Sequence, residues 1–309
     1  MSPGDRIPNN RWQNTPGKDP VCPMSIPPRV ASWLQVAPMA LVFTTMVLIP
    51  LTIILIVSFL DYDFARVFPE IYLGSWEDAL TSPLTLSLYL TVFKFLAITW
   101  VITAFIGFWL AYFLVFHVES TGWRMGLLAA AAIPFWTPGP IRMVSWVPLL
   151  GKEGLVNQAL MGMGLIDAPL DWLLYSEFSV ILAYCNLLTL AMLGPITHSM
   201  AKIPHSLIQA AQDAGAREWM IVRDVILPLC KPGIAIGTIF IITAVLGDFF
   251  MIKIMSGGQI NTPANAIATE LAAFQYPPAA AKSVMLLVIV VILIAGLLRL
   301  VDIRKELQR

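Results

Sequence analysis

Residues 178–201 read Phe178-Ser-Val-Ile-Leu-Ala-Tyr-Cys-Asn-Leu-Leu-Thr-Leu-Ala-Met-Leu-Gly-Pro-Ile-Thr-His-Ser-Met-Ala201, 24 positions without an Asp, Glu, Lys or Arg. A helix that crosses a bilayer needs about 20 mostly apolar residues. Glu177 and Lys202 bound this run, so it begins and ends at charge. Two further charge-free runs, residues 30–60 and 95–118, are 31 and 24 residues long. Three more candidates are shorter or interrupted: residues 125–150, broken only by Arg142; residues 232–255, carrying Asp248 and Lys253; and residues 283–298. The expectation is an all-α integral membrane protein with six transmembrane helices, at roughly 34–60, 88–116, 125–150, 178–200, 232–255 and 281–301.

Composition agrees with the runs. Of 309 residues, 58% are hydrophobic and only 12% are charged, against roughly 45–50% and about 25% in soluble domains. So little charge cannot cover the surface of a soluble protein of this length. Cys22, Cys185 and Cys230 make no disulfide framework and no metal-ligand cluster. Nineteen basic residues offset nineteen acidic ones, so no global field points to nucleic acid. The six-helix domain is expected over residues 33–303. Residues 1–32, with seven prolines in the first 28 positions, are expected to form a disordered cytoplasmic tail, and residues 304–309 a cytoplasmic C-terminus. The first span is too long and too far from Met1 for a cleaved signal peptide.

The positive-inside bias orients the spans. With the N-terminus inside, thirteen basic and eight acidic residues fall on the cytoplasmic side, and three basic and ten acidic residues fall outside. Lys94, Arg142, Lys253 and Asp248 lie within or at the ends of spans. Both termini are therefore expected inside, beneath an acidic outer face. The outer loops at 61–86 and 151–177 are long enough for short interfacial helices, with Trp76, Trp172 and Tyr175 as headgroup-level anchors.

The inner connection between the fourth and fifth spans carries the most information. Ser206 followed by Gln209 has the spacing of a capping box, predicting a helix from near Leu207. Gly215 is placed to end it. A second helix is expected from Arg217 to Leu227, with Pro228 breaking the chain before it enters the membrane. Such a helix–Gly–helix suits a handle for a soluble partner; a plain interfacial loop is the alternative.

This loop resembles the EAA loop of type I ABC importer permeases, the family that includes maltose, molybdate and methionine permeases. The family pattern is Glu-Ala-Ala, three residues, Gly, nine residues, then Ile-any-Leu-Pro. The chain has Gln209-Ala210-Ala211, Gly215 and Val225-Ile226-Leu227-Pro228 at that spacing, with Gln209 in place of Glu and Val225 in place of Ile. From about residue 83 to 306 the chain looks like the polyamine-type permease subfamily. The resemblance runs through Ser82-Pro83-Leu84, Pro134-Phe135-Trp136-Thr137, Leu150-Gly151, Gly154, Asn157, Asp213-Ala214-Gly215-Ala216, Pro232-Gly233, Gly247-Asp248-Phe249 and Gly257-Gly258.

The resemblance implies a permease subunit of the bacterial cytoplasmic (inner) membrane, and a sister permease subunit that is related rather than identical. It also implies an extracytoplasmic solute-binding protein and a cytoplasmic ABC ATPase dimer that uses ATP and Mg. On the matching positions, Gln209, Ala210, Ala211, Asp213, Gly215, Ala216, Arg217 and Glu218 would couple the ATPase to the pore. The chain has no Gly-x4-Gly-Lys-Ser/Thr loop of its own, so no cofactor is expected on it, and membrane lipid is its other expected partner.

Two stretches point to a solute path. Residues 133–142, Ile-Pro-Phe-Trp-Thr-Pro-Gly-Pro-Ile-Arg, hold three prolines and a glycine within seven positions, and these cannot all sit in one unbroken helix. Unwound backbone at membrane depth is tolerated where protein or a water-filled cavity covers it, so Trp136, Thr137, Arg142 and Trp146 are candidates to line the path. A proline-kinked packing helix is the alternative. The resembled subfamily commonly has Thr-Ser where this chain has Thr137-Pro138. Intramembrane charges are costly unless paired or hydrated. Asp248, with Phe249 beside it, either faces a cationic solute, as the subfamily's acid near the pore implies, or pairs with Arg142 or Lys253. Lys94 lies near a span end and can snorkel. His117, His198 and His205 show no ligand spacing.

The expected function is half of an ATP-driven translocation path for a small polar, amine-bearing solute such as a polyamine. A stand-alone channel or ion-coupled carrier is the competing reading; the absence of an internal repeat gives it no support. A membrane-embedded enzyme would need a convergent catalytic set that the sequence does not show.

Overall fold

The computed structural model describes residues 28–63 and 66–301, and the chain divides into two compact units, Met1–Thr52 and Ile53–Arg309. In chain order the elements are α1 (Pro28–Phe43), a π-helical turn (Thr44–Leu48), α2 (Ile49–Val57), β1 (Leu60–Asp63), β2 (Arg66–Ile71), α3 (Gly74–Thr81), α4 (Pro83–Phe116), α5 (Thr121–Trp136), α6 (Gly139–Leu150), α7 (Leu155–Gly162), α8 (Glu177–Met200), α9 (His205–Asp213), α10 (Glu218–Ile221), a second π-helical turn (Val222–Ile226), α11 (Leu227–Leu229), α12 (Lys231–Gly247), α13 (Phe250–Met255), α14 (Pro263–Ala272) and α15 (Tyr276–Leu300).

Among the described residues four helical stretches are long and apolar enough to cross a membrane: Val36–Val57, Pro83–Phe116, Glu177–Met200 and Tyr276–Leu300. Glu218–Leu229 with Lys231–Gly247, bent by 65°, makes a fifth if counted as one span. Two of the six spans expected from sequence are interrupted. The third, expected at 125–150, is two helices, α5 and α6, separated at Thr137–Pro138. Pro138 cannot donate a backbone hydrogen bond and disfavours helical geometry at Thr137 before it. The fifth, expected at 232–255, stops at Gly247 and restarts as α13 at Phe250. Helix α1 begins at Pro28, inside the tail expected through residue 32; residues 1–27 and 302–309 lie outside the described residues, with the expectations that fall on them. The two π-helical turns each end two residues before a proline, Pro50 and Pro228, where a missing amide donor frees an upstream carbonyl.

Among the described residues the regular structure is helical except for one hairpin. β1 and β2 pair antiparallel, Asp61 opposite Phe68 and Asp63 opposite Arg66, with a bulge between Leu60 and Asp61. It occupies part of a loop expected to be helical, and α3 follows it. Trp76 on α3 stacks on Phe59 with ring centroids 5.5 Å apart, and its Nε1 donates to Ser58 Oγ at 3.3 Å. In the other loop Asn157 is buried: its Nδ2 donates to the carbonyls of Gly151 (3.1 Å) and Leu170 (3.3 Å), and its Oδ1 accepts from Leu170 N–H. That one side chain ties the loop across 13 residues.

The core of the second unit forms where α8 packs between α4 and α12. Helix α4 turns Thr99, Thr103, Gly107 and Ala111, one every four residues, into this seam, all buried. Small residues at that interval let helix backbones approach closely in lipid, where no hydrophobic force drives them together. Trp100 Nε1 donates to Thr238 Oγ1 at 2.8 Å, joining α4 to α12. The closest backbone approach is at Gly233, where a Cβ would lie 2.5 Å from the Pro195 carbonyl oxygen of α8. Since that atom is backbone, Gly233→Ala is expected to cost about 1–3 kcal/mol and to lower the melting temperature of the detergent-solubilised protein. An unchanged melting temperature would contradict this packing. At the edge of the bundle, Lys94 Nζ lies 2.5 Å from Glu177 Oε2, so the side chain expected to snorkel also ties α4 to the start of α8. Both partners are half-exposed, so the pair adds at most about 1 kcal/mol.

Candidate coupling surface and solute path

The loop between α8 and α12 folds as two helices joined at a glycine. Gly215 N–H donates to the Gln212 carbonyl at 2.8 Å, and Ala216 N–H reaches back to the Ala211 carbonyl at 3.0 Å. This pair of bonds is a Schellman cap. It requires a left-handed residue between its arms, and Gly215 has φ +81°. A side chain at this φ costs about 1–2 kcal/mol. The capping box expected from Ser206 and Gln209 does not form. Pro204 occupies the N-cap and no side chain caps the helix; the Pro204 carbonyl accepts from Leu207 N–H at 3.1 Å, so Ser206 falls inside the first turn rather than ahead of it.

Ala211 and Ala216 face inward and pack on the core. Gln209, Ala210, Asp213, Gly215, Arg217 and Glu218 face outward and are exposed. Trp219 (64% exposed) and Met220 extend this surface, although sequence reasoning had passed over them. His205 meets Phe116 edge-on at 6.3 Å, seating the start of α9 against the end of α4. Between them lies a cavity of about 290 Å³, lined also by Tyr112, His117, Gln209 and Glu218. Arg124 completes this end of the bundle by donating through Nη2 to the carbonyls of Val115 (3.3 Å) and Val118 (3.0 Å). A cation there complements the C-terminal dipole of α4.

The second candidate site lies where the two interrupted spans meet. Gly139 and Pro140, at the start of α6, share a pocket of about 240 Å³ with Asp248, Phe250, Met251 and Tyr184. Asp248 sits in the break between α12 and α13. Its Oδ1 accepts from Phe250 N–H (2.9 Å) and Met251 N–H (3.1 Å), capping α13. An aspartate is among the best residues for that role. Among the described residues no ion pair joins Asp248 to Lys253. The other sequence candidates spread out. Arg142 stands on α6 half-buried, and Trp146, one turn further on, packs against the core. Trp136 (83% exposed) and Thr137 lie at the α5–α6 break outside the pocket, and Phe249 is exposed next to Asp248. Sequence reasoning missed Tyr184 and Phe250. Tyr184 in particular reads as one more ring in a charge-free run.

A multi-helix membrane bundle, two interrupted spans meeting at a largely apolar pocket that holds Asp248, and a capped helical loop on its surface suit a transporter permease subunit. No family model matches the chain. Curated relatives and solved structures do. It is 30% identical over 225 residues to the spermidine/putrescine transport system permease protein PotB of Haemophilus influenzae, covering 72% of this chain and 77% of that protein. It is 27% identical over 256 residues to PotB of Escherichia coli, covering 82% and 90%. A bacterial ABC transporter involved in the import of the acidic polysaccharide alginate superposes with a TM-score of 0.67 at 17% identity, over 88% of this chain and 96% of that one. The chain belongs to the family of ABC transport system permease proteins that PotB represents. It is a multi-pass protein of the inner membrane with the fold of an ABC importer permease, a transport subunit and not an enzyme.

Proposed function

We propose that the chain forms half of the translocation pathway of a binding-protein-dependent importer for small amine-bearing solutes, of which polyamines are the favoured class. The observation that carries this reading is the junction of the two interrupted spans at Asp248. Broken helices at membrane depth are tolerated where they line a cavity, and a carboxylate at the break suits a cationic solute. The names of the PotB relatives point to the same solute class. In this reading Trp136, Thr137, Arg142, Trp146, Asp248 and Phe249 line the path. Both termini lie in the cytoplasm, and the acidic outer loops raise the local concentration of cations by electrostatic attraction.

The surface formed by Gln209, Ala210, Ala211, Asp213, Gly215, Ala216, Arg217 and Glu218 docks on one subunit of a cytoplasmic ABC ATPase dimer. That dimer, and not this chain, uses ATP and Mg. A related sister permease supplies the other half of the pathway, and an extracytoplasmic binding protein delivers the solute, as in the alginate transporter solved with its periplasmic protein. Lipid surrounds the bundle, and no nucleic acid takes part. Co-purified with these partners, the complex should hydrolyse ATP severalfold faster with putrescine-loaded binding protein than with unloaded binding protein. Equal rates would overturn the reading.

A further inference from the structure

Tyr184 lies in the first half of α8 and is 1% exposed, with its hydroxyl turned toward the Asp248 carboxylate but short of a well-formed hydrogen bond. It lines the pocket that holds Asp248. A buried hydroxyl that is imperfectly paired costs stability, and a phenylalanine would fill the same space without that cost. The Asp248 carboxylate spends both of its backbone hydrogen bonds on Oδ1, which leaves Oδ2 without a backbone donor. The other walls are apolar: Met143, Leu187, Ala244 and Met251. Two oxygens with spare acceptor capacity therefore face one pocket with hydrocarbon sides.

We infer that this pocket is a half-site for the ammonium end of an alkylamine, with Tyr184 as the specificity-determining residue beside Asp248. The ammonium donates one hydrogen bond to Asp248 Oδ2 and one to the Tyr184 hydroxyl oxygen, while its methylene chain lies against Met143, Leu187 and Met251. Neutral polar solutes gain less here, because they bring no charge to offset the carboxylate. A metal cation is disfavoured by the pocket's single carboxylate and its apolar walls. The inference rests on the solute class proposed above.

The test uses the complete transporter in proteoliposomes, with radiolabelled putrescine as probe. Tyr184→Phe is expected to lower ATP-driven putrescine uptake about tenfold, the loss of a hydrogen bond to a charged group. Binding-protein-stimulated ATP hydrolysis and the melting temperature should remain at wild-type values, so that solute moved per ATP falls. Wild-type uptake undiminished in Tyr184→Phe overturns the half-site while leaving the amine reading intact. A parallel loss of uptake, ATP hydrolysis and melting temperature also overturns it, by assigning Tyr184 a packing role. Failure of the wild-type complex to import putrescine overturns the amine reading itself, and the half-site with it.

Discussion

Gly215→Trp is expected to reduce stimulated ATP hydrolysis and uptake to background while leaving the protein inserted and folded. Two effects combine at this position. The residue has φ +81°, so any side chain strains the Schellman cap by about 1–2 kcal/mol. No atom outside the immediate chain lies within 4 Å of where its Cβ would be, so the indole meets no steric clash inside the permease and projects from an exposed loop. The strain is local and small beside the buried core of α4, α8 and α12. The bulk falls where the ATPase is proposed to dock. Gly215→Ala separates the two effects, because it carries the backbone strain without the bulk and should retain substantial coupling. Measuring stimulated ATPase activity and detergent-solubilised yield together decides the matter. Normal coupling in Gly215→Trp would remove the docking surface from this loop.

Asp248→Asn is expected to lower uptake by about tenfold or more with little change in stability. Asparagine caps a helix about as well as aspartate, and its Oδ1 can accept from Phe250 and Met251 as the carboxylate does. The substitution therefore keeps the α13 cap and removes only the charge. Hydrogen bonds to charged groups exceed neutral ones by about 1–1.5 kcal/mol, which corresponds to about tenfold. Asp248→Ala also removes the cap and should lower the melting temperature as well. Uptake by Asp248→Asn equal to wild type would take the carboxylate off the path.

What could be read from the sequence followed the strength of each physical signal. The spanning helices at residues 36–57, 83–116 and 177–200 were legible because long charge-free runs have few alternatives to a spanning helix. The break at Thr137–Pro138 was legible because three prolines cannot share one helix. The break at Asp248 was not, since an acid within an apolar run reads as a buried charge, and only the geometry reveals it as the cap of a new helix. The hairpin at residues 60–71 escaped because its strands are short and hold acids, so no apolar alternation marks them. The loop between α8 and α12 was the most legible of the candidate stretches: Gly215 ends α9 as its position required, and Ala211 and Ala216 turn inward while their neighbours face out. Only the capping partner failed, because Pro204 starts the helix ahead of Ser206. Tyr184 was illegible because its signal is the meeting of a buried hydroxyl with the carboxylate of Asp248 from another span, which only tertiary packing creates.

The most direct test of the central claim is uptake of radiolabelled putrescine into proteoliposomes that contain this chain, its sister permease and the ATPase. Uptake that requires both enclosed ATP with Mg and external binding protein, and that stops when either is omitted, is the predicted result. Uptake that proceeds without ATP, as through a channel or an ion-coupled carrier, would contradict it.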